Sequence, residues 1–116
     1  MMTGSAATGA LRTNWFHILV ALAEGARHGS GIARDVQDQT DGAVRLWPAT
    51  LYRTLDEMAS EGLIRELNED EHPTGASARR RYYQMTPKGG AELSAAAERM
   101  AALAGTARKR LRGANS

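Results

Sequence analysis

The chain has 116 residues, enough for one domain with a modest core, and domains this small often gain stability by oligomerising. Its formal net charge is +2, and thirteen of its fifteen basic residues are Arg, which grips phosphate and guanine edges in a planar fork; a GC-rich coding sequence enriches Arg equally, so composition alone does not establish a nucleic-acid partner. There is no Cys, which excludes a disulfide framework and thiolate chemistry, and no apolar run approaches the roughly 18–20 residues needed to span a membrane.

Residues 1–12 open with Gly, Ser, Thr and Ala and are expected to be mobile, with no apolar core of signal-peptide length. From about residue 13 to 24 the pattern is helical. Trp15, Ile18, Leu19 and Leu22 form one apolar stripe, and Phe16, Val20 and Ala23 form a second. Gly25 and Gly29 punctuate a turn, and Ser30 is placed to cap a second helix running to about Gln39, with Ile32, Ala33 and Val36 inward. Asp41-Gly42 signals a turn, after which residues 43–46 alternate like a short strand.

The most informative stretch begins at Leu46 and reads LWPATLYRTLDEMASEGLI. Pro48 suits the first position of a helix, where its missing N–H costs nothing. Leu51, Leu55, Met58 and Ala59 recur as one apolar stripe, Thr50, Arg53, Thr54 and Glu57 fall on other faces, and Gly62 sits where a glycine ends a helix. Residues 63–67 are a strand candidate. Residues 68–78 form a loop with Pro73, Gly75 and Ser77, and four carboxylates lie between Glu66 and Glu71. The run RRRYYQM at 79–85 reads as the returning strand, Tyr83 and Met85 on one face, Tyr82 and Gln84 on the other. Thr86-Pro87 opens a last helix over 87–111, and Leu93, Ala96 or Ala97, Met100, Leu103, Ala107 and Leu111 follow a spacing near 3.5. A tail at 112–116 is expected to fray.

Helices with a small β-hairpin in this order predict a mainly α winged helix-turn-helix domain over 13–86, followed by a C-terminal helix. The third helix is the one to enter a major groove, which is wide enough for one α-helix. The segments FHILVALAEG, HGSGIARDV, VRLWPATLYRTLDEMASEGLI and RRRYYQMTPKG, in that order, resemble the PadR family of bacterial transcriptional regulators across roughly residues 15–103. The short last helix resembles the compact subfamily. The resemblance implies a homodimer joined through the last helices with help from the first, repression at a palindromic operator, and relief by a small hydrophobic or aromatic effector. Three positions depart from the family's usual pattern: Trp47 stands where glycine or a small polar residue is common, Ala49 where glycine is, and Ser30 where an aromatic is.

On this reading Thr50, Tyr52, Arg53 and Thr54 are the DNA contacts of the third helix, with Tyr52 on the DNA backbone by resemblance. Arg79, Arg80 and Arg81 are the contacts of the wing, Arg80 first among them, because clustered like charges repel unless a polyanion meets them. The acidic stretch 66–71 argues against the whole wing lying on phosphate and is placed to pair with the arginines in the free protein. Trp15, Leu93, Ala97, Met100, Leu103 and Ala107 are expected at the dimer interface, and Trp15 and Phe16 are candidates for an effector pocket. Trp47 has three readings: DNA contact, apolar helix cap, or incidental exposure.

His17, His28 and His72 lack metal-ligand spacing, Gly89-Gly90 lacks the context of a phosphate loop, and no Ser, His and Asp set resembles a triad. Neither an enzyme nor a cofactor is expected, and a soluble cytoplasmic protein is. The second function weighed is a winged-helix protein–protein adaptor with no operator of its own, since fold alone does not fix function and an acidic wing loop suits a basic protein partner.

Overall fold

A computed structural model describes residues 11–76 and 79–114. Of the segments expected to be mobile, residues 1–10 and 115–116 lie outside the described residues, as does Ser77 in the wing loop. The elements are α1 (Thr13–Leu22), β1 (Arg27–His28), α2 (Gly29–Gln39), α3 (Pro48–Ser60), β2 (Ile64–Glu66), a single 3-10 turn (Glu69–Glu71), β3 (Tyr82–Met85) and α4 (Pro87–Ala114). The last helix therefore continues through Ala114, past its expected end at Leu111.

The sheet has three strands in the order β1-β3-β2, all antiparallel neighbours, with β3 in the centre. Arg27 pairs with Tyr83 and His28 with Tyr82, while Ile64, Arg65 and Glu66 pair with Met85, Gln84 and Tyr83. The first strand is thus not at 43–46. There the backbone N–H groups go elsewhere: Ala43 donates to the Thr40 carbonyl at 3.0 Å and Val44 to Thr40 Oγ1 at 3.0 Å. Leu46 is buried, so the alternation marks an inward side chain on an extended linker rather than a ladder. Two residues of β1 are too few to show a period of their own.

Helix ends follow the local chemistry of the sequence. Helix α3 starts with Pro48 in its first turn and closes with Gly62 at φ +81°. Gly62 donates to the Ala59 carbonyl and Leu63 to the Met58 carbonyl, both at 3.0 Å, which is the paired closure that a left-handed glycine permits. Helix α2 begins two residues earlier than expected. Its cap is His28, whose Nδ1 accepts from Gly31 N–H at 3.1 Å, and not Ser30. Thr86 caps α4, its Oγ1 accepting from Gly89 N–H at 3.0 Å.

The core joins α1, α2, α3 and the sheet. Ile18, Leu19, Ile32, Val36, Leu51, Leu55, Met58, Leu63 and Ile64 are all sealed from solvent, and each contributes about 1.5–3 kcal/mol by leaving water. Ala59, expected on this stripe, is exposed instead. Trp15 belongs to the same core, with the Arg12 guanidinium 4.7 Å from its ring centroid. Tyr82 is buried outside the main cluster, its ring held between His28 (centroids 5.4 Å apart) and His72 (4.6 Å).

A candidate nucleic-acid interface

Helix α3 presents one face to the core and the other to solvent, and this sorts its expected contacts. Arg53 is exposed, and no carboxylate pairs with it among the described residues. Thr50 is half-buried at the same N-terminal end. Thr54 faces inward and is only 7% exposed, so it supports the helix from beneath and is not part of its outer face. Tyr52 is half-buried and packs against the core. A Cβ at Gly29 would overlap its hydroxyl, so the start of α2 lacks a side chain where this ring lies. Tyr52 thus has an anchored ring at the boundary between core and surface.

The wing arginines divide in the same way. All three precede β3 rather than lying in it. Arg81 is a strut: it donates from Nε and Nη2 to the Glu66 carboxylate at 3.1 and 2.9 Å and from Nη2 to Asp56 at 3.3 Å. Its guanidinium also lies 5.5 Å from the ring centroids of both Tyr52 and Tyr83. The hydrogen bond from Arg81 holds the Glu66 carboxyl below the usual carboxylate range, while Arg81 itself is raised still further. In the free chain this guanidinium ties the wing to α3, so a phosphate contact by Arg81 would have to compete with Glu66 and Asp56. Asp56, which sequence reasoning missed, is the α3 end of that tie. Burial pushes the Tyr83 phenol up to about 12, so it stays neutral beside this network.

Two of the four carboxylates of the acidic stretch, Glu66 and Glu71, are paired within the chain. Arg65 makes a bidentate pair with Glu71 at 3.2 and 2.9 Å, and Glu71 also accepts from Asn68 N–H at 2.8 Å. These bonds hold the Glu71 carboxyl low, Arg65 being the larger influence.

Arg80 has a different environment. It is exposed, with Nη1 2.8 Å from Nε2 of His28. Together they border an open polar depression of about 520 Å³ beside the start of α2, whose other walls include Ser30, Arg34 and Asp35. Burial, then the charges of Arg80 and Arg34, lower the His28 pKa, so His28 is neutral at physiological pH. Arg79 is exposed beside it. The exposed cations here include Arg53 on α3, Arg45 just before it, Arg34 on α2 and Arg80 at the wing, with Arg79 next to it in the chain.

A model of the PadR-like family of transcriptional regulators matches residues 18–95, which take in the whole helix-turn-helix, the wing and the start of α4. The chain belongs to this family. Among solved structures, a transcriptional regulator from Clostridium thermocellum is 23% identical with a TM-score of 0.67, over 94% of this chain and 97% of that one. A PadR family regulator from Clostridium difficile is 25% identical with a TM-score of 0.64, over 84% of this chain and 98% of that one. Bacillus subtilis PadR, solved in complex with operator DNA, is 22% identical with a TM-score of 0.59; the match takes in 72% of this chain and 45% of that one. At these identities the likeness is one of fold. No curated protein sequence matches the chain.

In this PadR-family chain, α4 is anchored at its base and open beyond it. Thr86 Oγ1 donates to the Gly62 carbonyl and Lys88 Nζ to the Glu61 carbonyl at 2.7 Å, so the first turn of α4 caps the last turn of α3. A Cβ at Gly89 would overlap the Leu63 carbonyl, which shows how close that approach is. Leu93 leans on the core and Ala96 is buried. Ala97 and Ala107 are exposed, as are Met100, Leu103 and Leu111, at 47%, 67% and 63%. Trp15, expected beside this stripe, is already covered by its own chain; Phe16 is half-buried. Among the described residues no cluster of His, Cys, Asp or Glu could hold a metal ion, and no helix is long and apolar enough to cross a membrane.

Proposed function

We propose that this chain is a homodimeric repressor that binds a palindromic operator through α3 and the wing. The observation that carries the reading is the division of its surface arginines. Arg81 and Arg65 are consumed by Glu66, Asp56 and Glu71, whereas Arg53 on α3 and Arg80 at the wing point outward on one family fold. In this role Arg53 reads a guanine edge or holds a phosphate, Thr50 and Tyr52 meet the DNA backbone, and Arg79 and Arg80 meet phosphates beside the groove. Bacillus subtilis PadR, solved with operator DNA, supports the same docking here.

The apolar stripe of α4 supports the dimer. Met100, Leu103 and Leu111 with Ala97 and Ala107 are left to water by one copy, and a second copy can cover them. A two-fold dimer places its two α3 helices on half-sites about 34–36 Å apart. Because α4 caps the end of α3 through Thr86 and Lys88, a change in the spacing of the α4 helices is carried to the reading helices. A small hydrophobic or aromatic effector relieves repression by binding one spacing more tightly than the other. In this reading half-buried Phe16 is the aromatic that meets it. Pairing of Glu66 and Glu71 within the chain weakens the adaptor reading, since it leaves exposed Glu69 and Asp70 as the carboxylates of the wing outside these two pairs.

Selection of binding sites from a random duplex pool tests the reading, with wild type and Arg53→Ala/Arg80→Ala compared at low and physiological salt. Wild type is expected to recover a palindrome and the double variant to lose it. Equal, salt-labile binding of any duplex by both proteins would remove the operator from the account.

A further inference from the structure

We infer that Trp47 is a sequence-reading contact, seating its indole on the 5-methyl group of a thymine in the major groove. The inference rests on the operator-binding reading and goes beyond it by naming a residue and a base. Trp47 is the N-cap of α3 and is 65% exposed, although the second Trp of the chain, Trp15, is 7% exposed in the core. It makes no side-chain capping bond, and it stands outside the hydrophobic cluster that takes in its neighbour Leu46. No aromatic or cation–ring contact among the described residues holds it. The ring leaves most of its surface to solvent, which favours an outside contact over an apolar cap.

Its backbone is nonetheless anchored. The backbone of Trp47 is extended at φ −72°, ψ 149°, buried Leu46 anchors the preceding residue, and Pro48 restricts the following one. A large apolar plane is thus carried on an anchored backbone at the end of the helix that enters the groove first in the proposed docking. Arg45 and Arg53, both exposed, stand on either side of it in the chain, so the surroundings favour a polyanion over an apolar protein surface. In the major groove the apolar feature that a base presents is the thymine methyl group, which marks A·T pairs apart from G·C. A side chain with one ring N–H donor and a broad apolar face matches that methyl group better than it matches a phosphate.

The test uses the duplex that wild type selects, with each thymine replaced in turn by uracil, and measures affinity for wild type, Trp47→Ala and Arg53→Ala. Removing the contacted methyl group is expected to weaken wild type about fourfold, the worth of one buried carbon. Trp47→Ala is expected to bind the natural duplex about tenfold more weakly and to be indifferent to uracil at that position. Its salt dependence should match that of wild type, because no phosphate contact is lost. If Trp47→Ala binds like wild type while Arg53→Ala is weakened, the operator reading stands and this inference falls. The inference also falls if Trp47→Ala loses affinity but keeps the full uracil effect at every position. Should wild type select no duplex at all, both fall together, and the uniform result tells that case from the others.

Discussion

Arg53 is the residue on which the reading surface depends most directly. It is exposed, no carboxylate among the described residues competes for it, and it lies one turn into α3. Arg53→Ala is expected to cost about 1–3 kcal/mol of operator affinity and to relax the preference at one base pair, which a competition assay across single-base variants reads. His28 is the residue where folding and wing position meet. A neutral imidazole has one lone pair for hydrogen bonding, and both Gly31 N–H and Arg80 approach this ring. Protonation withdraws that lone pair and sets a third positive charge beside Arg80 and Arg34. Since burial and those arginines lower the folded-state pKa, the unfolded chain takes up the proton first as pH falls below the ordinary value of about 6.5. The stabilisation is complete above that value and is lost as pH drops from it towards the folded-state pKa. Thermal midpoints measured at pH 8 and pH 5 should therefore fall more for wild type than for His28→Asn, which keeps a capping oxygen but cannot titrate. None of this was legible at His28 from sequence, because its partners Arg80 and Tyr82 are brought to it by the sheet and not by local spacing.

At the scale of elements, the ends of helices were the most readable feature and the pairing of strands the least. Pro48, Gly62, Thr86 and Pro87 act on their own neighbours, so their chemistry is visible along the chain. The ladder of β1 joins residues more than fifty positions apart and is two residues long, whereas residues 43–46 imitate a strand because Leu46 must point inward. Like reasoning explains Thr54 and Arg81. A polar residue on a reading helix and the last of three arginines look like contacts until the core and the Glu66–Asp56 pair are known. The junction of α3 with α4 offers a sharp test. Gly89→Ala should destabilise the fold by about 1–3 kcal/mol, because the opposing atom is the Leu63 backbone carbonyl and cannot step aside. Gly105→Ala, with open space around it, should stabilise α4 by about 0.5–1 kcal/mol. Denaturant titration of the two variants separates the close approach from helix propensity.

For the whole molecule, the decisive feature is a helix that outruns its own domain. From Ala97 onward every residue of α4 described is exposed, a reach of about 27 Å at ~1.5 Å per residue, and an isolated helix of that kind is marginal in water. Leu103→Asp is expected to leave the winged-helix body folded, since Leu103 is 67% exposed and outside its core, while sedimentation shows single chains where wild type sediments as pairs. The same variant should bind a half-site and a full palindrome with nearly equal affinity, having lost the linkage between two half-sites.

That exposed stripe also sets how the regulator responds to its own abundance. In the proposed dimer, association and operator binding are linked by mass action, so while most chains are single and most operator is free, bound operator follows the square of the amount made. Halving the dosage of the protein then leaves a quarter of the occupancy. A promoter under such control switches over a narrow range of expression, and apolar side chains far from any base set where that range lies.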